Sequence, residues 1–207
     1  VSGDRVEVVG RGTAEVRPDL FVAQLAAEAT GPDVATALEA AELASHAMAE
    51  TARTRGGAGD ADLRTAEMSV TTNHDHHGQP DGYRAWLALT VTLRDLAAAG
   101  QVLAEVLAAG GDATRLTGVT LLTSDPGAAL DVARAGAMAD ARHQAEQLAA
   151  LAGRSLGGVR RVSAVPSDGG WPRPGGFQEQ SGRTMSLSVE GGTSTVAVSV
   201  EVRFDLG

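Results

Sequence analysis

From residue 83 the chain alternates strictly. Tyr83, Ala85, Leu87, Leu89, Val91 and Leu93 fall on one side of an extended backbone, and Arg84, Trp86, Ala88, Thr90 and Thr92 fall on the other. A period of two marks a strand with one buried face. Leu63–His76 precedes it, with Met68, Val70 and Thr72 on one face and His74 and His76 continuing that face. A turn at 77–82 joins the two stretches as a hairpin. Ser194–Leu206 alternates as cleanly, with Val196, Val198, Val200, Val202, Phe204 and Leu206 on its apolar face. Shorter patterns predict strands at Asp4–Val9, ending at Gly10-Arg11-Gly12, and at Leu116–Thr123 and Val159–Val165. Thr13–Ala29 reads as one long strand, bent near Pro18, which has no N–H to give a ladder.

Helical spacing fills the intervals. Asp33 is placed to cap a helix carrying Val34, Leu38, Ala41, Ala44 and Met48, stopped by Gly56-Gly57. Asp95 opens a second, with Leu96, Leu103, Val106 and Leu107, closed by Gly110-Gly111. Ser124-Asp125-Pro126 opens a third over Gly127–Ala152, with its stripe read as Leu130, Ala133, Ala137, Ala141, Gln144, Leu148 and Leu151. The order β-β-α-β-β-α-β-α-β-β lacks strict βαβ alternation. It predicts an α+β fold: a largely antiparallel sheet with long helices packed on one face, with room for a smaller second lobe. Residues 1–207 read as a single domain. Residues 167–183, rich in Gly and Pro, read as a flexible surface loop suited to binding or assembly.

Composition narrows the chemistry. Aromatic residues are only 3% of the 207, so Ala, Val and Leu must fill the core. The absence of cysteine removes disulfides and thiolate chemistry. A formal charge of −9 argues against a nucleic-acid partner, whose phosphates need a basic footprint. No apolar run is long enough for a transmembrane helix. The opening VSGDRVEVVG shows no basic segment followed by an apolar one. Val1 reads either as the start of a trimmed chain, which permits periplasmic or secreted export, or as a literal start, which implies the cytoplasm.

Gly10-Arg11-Gly12 follows a strand but lacks the third glycine and the following helix of a dinucleotide loop, so it reads as a structural bend. Pro18-Asp19 also takes a structural role. No G-x-S-x-G elbow surrounds Ser124 or Ser155, and no serine is placed beside His46 or His143, so no catalytic residue is assigned. The segment TTNHDHHGQP at 71–80 offers nitrogen ligands. His74 and His76, two apart on a strand, point the same way and form the candidate metal pair, while Asp75 and His77 point away. The alternative is a polar hairpin tip. Trp171 and Phe177, in the Gly/Pro-rich loop, read either as anchors for a partner or as a lid folded back on the domain.

Several motifs, in order, resemble the SIMPL-domain (DUF541) family of bacterial periplasmic and outer-membrane immunogenic proteins. They are Val8-Val9-Gly10-Arg11-Gly12, then Val16-Arg17-Pro18-Asp19; Leu63–Thr71 leading into Gly82-Tyr83-Arg84-Ala85; and the helix with Ala137, Asp140-Ala141, Ala145-Glu146 and Leu148-Ala149. Leu156-Gly157 and Val189–Phe204 complete the pattern. The resemblance implies an α+β fold with a large and a small lobe, and no defined catalytic residues or cofactor. Gly10, Gly12, Pro18, Asp19, Gly82 and Tyr83 match the family pattern in structural roles. The function expected is a noncatalytic self-assembling or protein-binding protein, stress- or envelope-associated, with a homo-oligomer or another protein as partner. Metal binding at His74 and His76 is the alternative.

Overall fold

The computed structural model describes residues 4–165 and 192–207. In chain order the elements are β1 (Arg5–Val16), β2 (Leu20–Gly31), α1 (Val34–Gly56), β3 (Leu63–His74), β4 (Pro80–Leu93), α2 (Leu96–Ala109), β5 (Thr114–Leu122), α3 (Gly127–Leu151), β6 (Leu156–Val165) and β7 (Ser194–Leu206). The α+β class is as the pattern predicts, with long helices on antiparallel sheet. The described residues gather into two compact units, each with its own sheet. One comprises residues 4–17, 123–165 and 192–207, and the other residues 18–122.

The first unit holds a sheet in the order β1-β7-β6, crossed by α3. Val8, Val200, Val202 and Phe204 meet Ala137, Ala141 and Ala145 in its core. The second holds a sheet in the order β3-β4-β2-β5, with α1 over β2 and β4 and α2 beside α1. Phe21, Leu25, Met48, Val91, Leu103 and Val106 are its largest fully buried side chains. Among the described residues, each core holds one fully buried ring, Phe204 in the first unit and Phe21 in the second.

Three sequence expectations change. The first strand does not stop at Gly10-Arg11-Gly12 but runs through them to Val16. The stretch expected as one bent strand is divided at residues 17–19, and β1 and β2 lie in different sheets. Pro18 sits in that break, where its missing N–H removes nothing from either ladder. The buried stripe of α3 keeps the expected Ala133, Ala137 and Ala141 but continues through Ala145 and Ala149, whereas Leu148 and Leu151 are 47% and 86% exposed.

Helix caps follow the local chemistry. The Asp33 carboxylate accepts from the N–H of Thr36 at 2.9 Å, and that backbone bond, with the Thr36 hydroxyl, holds the Asp33 carboxyl below its usual range. Asp95 accepts from Ala97 and Ala98 at the start of α2. Gly57 closes α1 in the left-handed region with φ 62°.

Candidate functional site

Gly10 and Gly12 stand where β1 meets helix backbone. A Cβ on Gly10 would lie 2.1 Å from the Ala137 carbonyl oxygen, and one on Gly12 would lie 2.0 Å from that of Ala133. The backbone of α3 therefore rests directly on the backbone of β1. This closeness explains the alanine stripe, since a larger side chain would hold the helix away. Each buried methyl contributes only about 0.8 kcal/mol, so proximity rather than area joins the layers. At this distance side chains of α3 reach the outer edge of β1. The Arg11 N–H donates to Asp140 Oδ2 at 2.8 Å. The Gln144 amide donates to the Val9 carbonyl at 3.3 Å and to Asp140 Oδ2 at 2.8 Å.

A second glycine contact lies in the other unit. Gly82 has φ +79°, and a Cβ there would fall 2.3 Å from the Gly31 carbonyl oxygen. A Cβ on Gly31 would meet the Ala37 nitrogen at 2.6 Å. These contacts seat the first turn of α1 on the end of the β2–β4 pairing. Tyr83, paired with Gly31 and Thr72, is exposed. The N–H of Asp19 donates to the Leu122 carbonyl at 3.0 Å, tying the start of β2 to the end of β5.

The histidine hairpin differs from its expected geometry. β3 ends at His74, opposite Pro80 after a register shift, and His76 lies in the turn. The shared strand face assumed for His74 and His76 is therefore lost. The rings that meet are those of His76 and His77, with centroids 4.0 Å apart. The Asp75 carboxylate accepts from the N–H groups of His77 and Gln79 at 2.8 and 2.9 Å. That is a turn held by its aspartate. Among the described residues no group of three or more His, Asp or Glu is arranged to hold a metal ion. Trp171 and Phe177 lie outside the described residues.

Several other polar groups are engaged in the fold. His143 meets the Gln147 amide at 3.0 Å along α3, and the backbone of Ser155 pairs with that of Gly207. His46 lies with Glu42, Ser45, Arg53, Leu63 and Thr65 around an open groove of about 280 Å³ between α1 and the β3–β4 ribbon. On the sheet face of the first unit that faces away from α3, Arg203 grips Glu7 through two bonds of 2.7 and 3.0 Å and stands 3.8 Å from Glu201. The bond from Arg203 holds the Glu7 carboxyl below its ordinary range. Contact with Glu7 raises that of Glu201. The sequence reading missed this group and the Asp140–Gln144 contact. Opposite charges at matching outward positions of β1 and β7 are the signal for the former. Nothing local signals the latter, because it needs the register of a helix on a strand more than 100 residues away.

The helices leave some of each sheet uncovered. α3 lies across β1 and β7 and touches β6 little. Val159 and Val162, opposite Phe204 and Val202 on the core side of the sheet, are consequently 50% and 49% exposed.

A family model described as SIMPL, protein of unknown function (DUF541), matches residues 6–204. The chain is also similar to the 26 kDa periplasmic immunogenic protein of Brucella melitensis biotype 1. The two are 28% identical over 223 residues, covering 98% of this chain and 84% of the relative. The protein of that name from Brucella abortus (strain S19) shows the same identity and coverage.

Proposed function

The chain belongs to the SIMPL (DUF541) family, and on that premise we propose that it is a noncatalytic protein-binding domain of the bacterial envelope that associates with copies of itself. The observation that carries this reading is the apolar ledge of Val159 and Val162. These side chains continue the core face of a sheet beyond the edge of the helix that covers it. Apolar side chains left in this way gain by burial against another protein surface, at about 25 cal/mol for each Å² removed from water. A second copy suits a chain whose cores are built from small residues and gain area by association. The noncatalytic part of the reading is supported by the engagement of polar groups in caps, turns and ladders rather than in a nucleophile and base held together. The envelope placement is drawn from the relatives, whose names call them periplasmic.

Sedimentation velocity across the micromolar range tests it. The expected mass is a multiple of 21.0 kDa, reduced towards that of one chain by Val159→Glu with Val162→Glu. A wild-type chain that sediments as a single 21.0 kDa species throughout would overturn the reading.

A further inference from the structure

Among the described residues the two sheets end in four outer strands: β1, β6, β3 and β5. Three of these edges are irregular. Register shifts interrupt β3 at Thr65/Glu67 and Thr72/His74, β6 at Leu156/Val159 and Val159/Arg161, and the β2–β5 ladder at Gln24/Leu25. Such irregularities bend an edge and spoil it as a template for another strand. β1 has none. It pairs with β7 residue for residue over all 12 positions from Arg5 to Val16. A long, regular outer edge of this kind is the form most prone to pair with a foreign strand.

In an antiparallel ladder the N–H and C=O of one residue point to the same side. The Val9 carbonyl and the Arg11 N–H are engaged by α3, outside the β1–β7 ladder. Glu7, Val9, Arg11 and Thr13 therefore direct their backbone groups to the outer edge, and their side chains are exposed on the face away from α3. We propose that the outer edge of β1 is a strand-pairing surface held closed by Asp140 and Gln144, and that the strand they exclude is β1 of a second copy. The edge is complementary to itself. Antiparallel pairing centred on Val9 sets this exposed valine against its own equivalent. It places Glu7 opposite the second copy's Arg11, and Arg11 opposite the second copy's Glu7. Opposite charges and apolar contacts in directly opposed positions favour a strand pair. The groups that α3 occupies, the Val9 carbonyl and the Arg11 N–H, lie at the centre of that register. Gly10 and Gly12 make the guard possible, since only bare backbone lets α3 approach closely enough for Asp140 to reach round the edge.

This surface is separate from the Val159 and Val162 ledge on β6, so the two proposals fail independently. Hydrogen exchange on the wild-type full chain reads the guard directly. The Arg11 N–H is expected to exchange roughly tenfold or more slowly than those of Glu7 and Thr13 on the same edge. Asp140→Ala with Gln144→Ala should abolish that difference at low concentration and, in a chain that also carries Val159→Glu and Val162→Glu so that the ledge does not contribute, double the sedimenting mass at high concentration relative to the same chain with Asp140 and Gln144 intact. Adding Arg11→Pro, which deletes an outward-facing N–H at an edge position, should restore the undoubled mass. Asp140→Asn, which keeps an acceptor oxygen, should leave the mass unchanged. The proposal is overturned if Arg11 exchanges as fast as Glu7 and Thr13, or if the folded double variant keeps the undoubled mass. It is also overturned if the doubled mass survives Arg11→Pro. Should the double variant fail to fold, Gln144→Ala alone, which frees the Val9 carbonyl, takes its place with the same expected gain in mass and the same overturning result.

Discussion

Gly10 lies directly beneath Ala137, so close that one added carbon on the glycine would stand 2.1 Å from the alanine's carbonyl oxygen. The obstacle is helix backbone, which cannot turn aside as the end of a side chain can. Gly10→Ala must therefore lift α3 or bend β1. The expected cost is about 3 kcal/mol, at the upper end for overpacking a close contact. Gly12→Ala, aimed at the Ala133 carbonyl, should cost a similar amount. Urea unfolding followed by circular dichroism checks both. A lowered midpoint is expected for each, and an unchanged midpoint would contradict the close packing.

Gly82 combines two constraints. Its φ of +79° is unfavourable for any residue with a Cβ, and its Cβ position faces the Gly31 carbonyl oxygen at 2.3 Å. Gly82→Ala should destabilise by about 2–4 kcal/mol. Gly78, with φ +75° and open space around it, provides the control. Its substitution by alanine meets the strain without the clash and should cost about 1 kcal/mol. Thermal melting of the two variants separates these contributions, and equal melting temperatures would remove the steric argument at Gly82.

Much of this architecture is legible in the pattern of residues. The alternation from Tyr83 to Leu93 and from Val196 to Leu206 marks β4 and β7 with their correct buried faces, because period two is a local property of the backbone. Asp33, Asp95, Gly57 and Gly110 mark helix ends for the same local reason. The stripe of α3 is legible only in its first half, where Ala133, Ala137 and Ala141 face the sheet as their spacing predicts. Leu148 and Leu151 are the larger apolar residues and attract a hydrophobicity argument, yet alanines face the sheet because Gly10 and Gly12 set the spacing from a distant part of the chain. The division at Pro18 is hidden similarly, since nothing in Thr13–Ala29 announces that its halves join different partners. At the hairpin tip the assumption of an unbroken strand to His76 fails at the register shift between Thr72 and His74. A bulge is a pairing event and leaves no plain mark in a single strand.

The Glu7–Arg203–Glu201 group predicts an ordered titration. The Arg203 bond depresses the Glu7 carboxyl, so its contribution to stability is present above its unfolded value and is lost as pH falls through the lower folded value. Contact with Glu7 raises the Glu201 carboxyl. Its ionisation therefore opposes folding at neutral pH, and that opposition is relieved as pH falls through the raised folded value. On acidification from neutrality Glu201 should take its proton first and Glu7 last. Glu201→Gln should raise the melting temperature at pH 7 relative to wild type, with the advantage vanishing once Glu201 is protonated. Carboxyl carbon shifts followed by NMR across the acid range give the order, and Glu7 titrating above Glu201 would refute this account.

The two faces of α3 make opposite predictions for residues that look alike in composition. Ala141 is fully buried, and its methyl lies 2.6 Å from the place a Cβ on Gly10 would take. Ala141→Leu introduces three further carbons where backbone already meets backbone. It should cost about 3 kcal/mol or more by displacing the helix from β1. Leu151 is 86% exposed near the end of the same helix. Leu151→Gln removes little buried surface and should change stability by no more than about 0.5 kcal/mol. A stripe that also runs through Leu151, as its hydrophobicity suggests, instead makes Leu151→Gln a costly change. Paired chemical denaturation of the two variants at low protein concentration, where association does not contribute, decides between the alternatives. A larger loss for Leu151→Gln than for Ala141→Leu would mean that α3 meets its sheet through the leucine face.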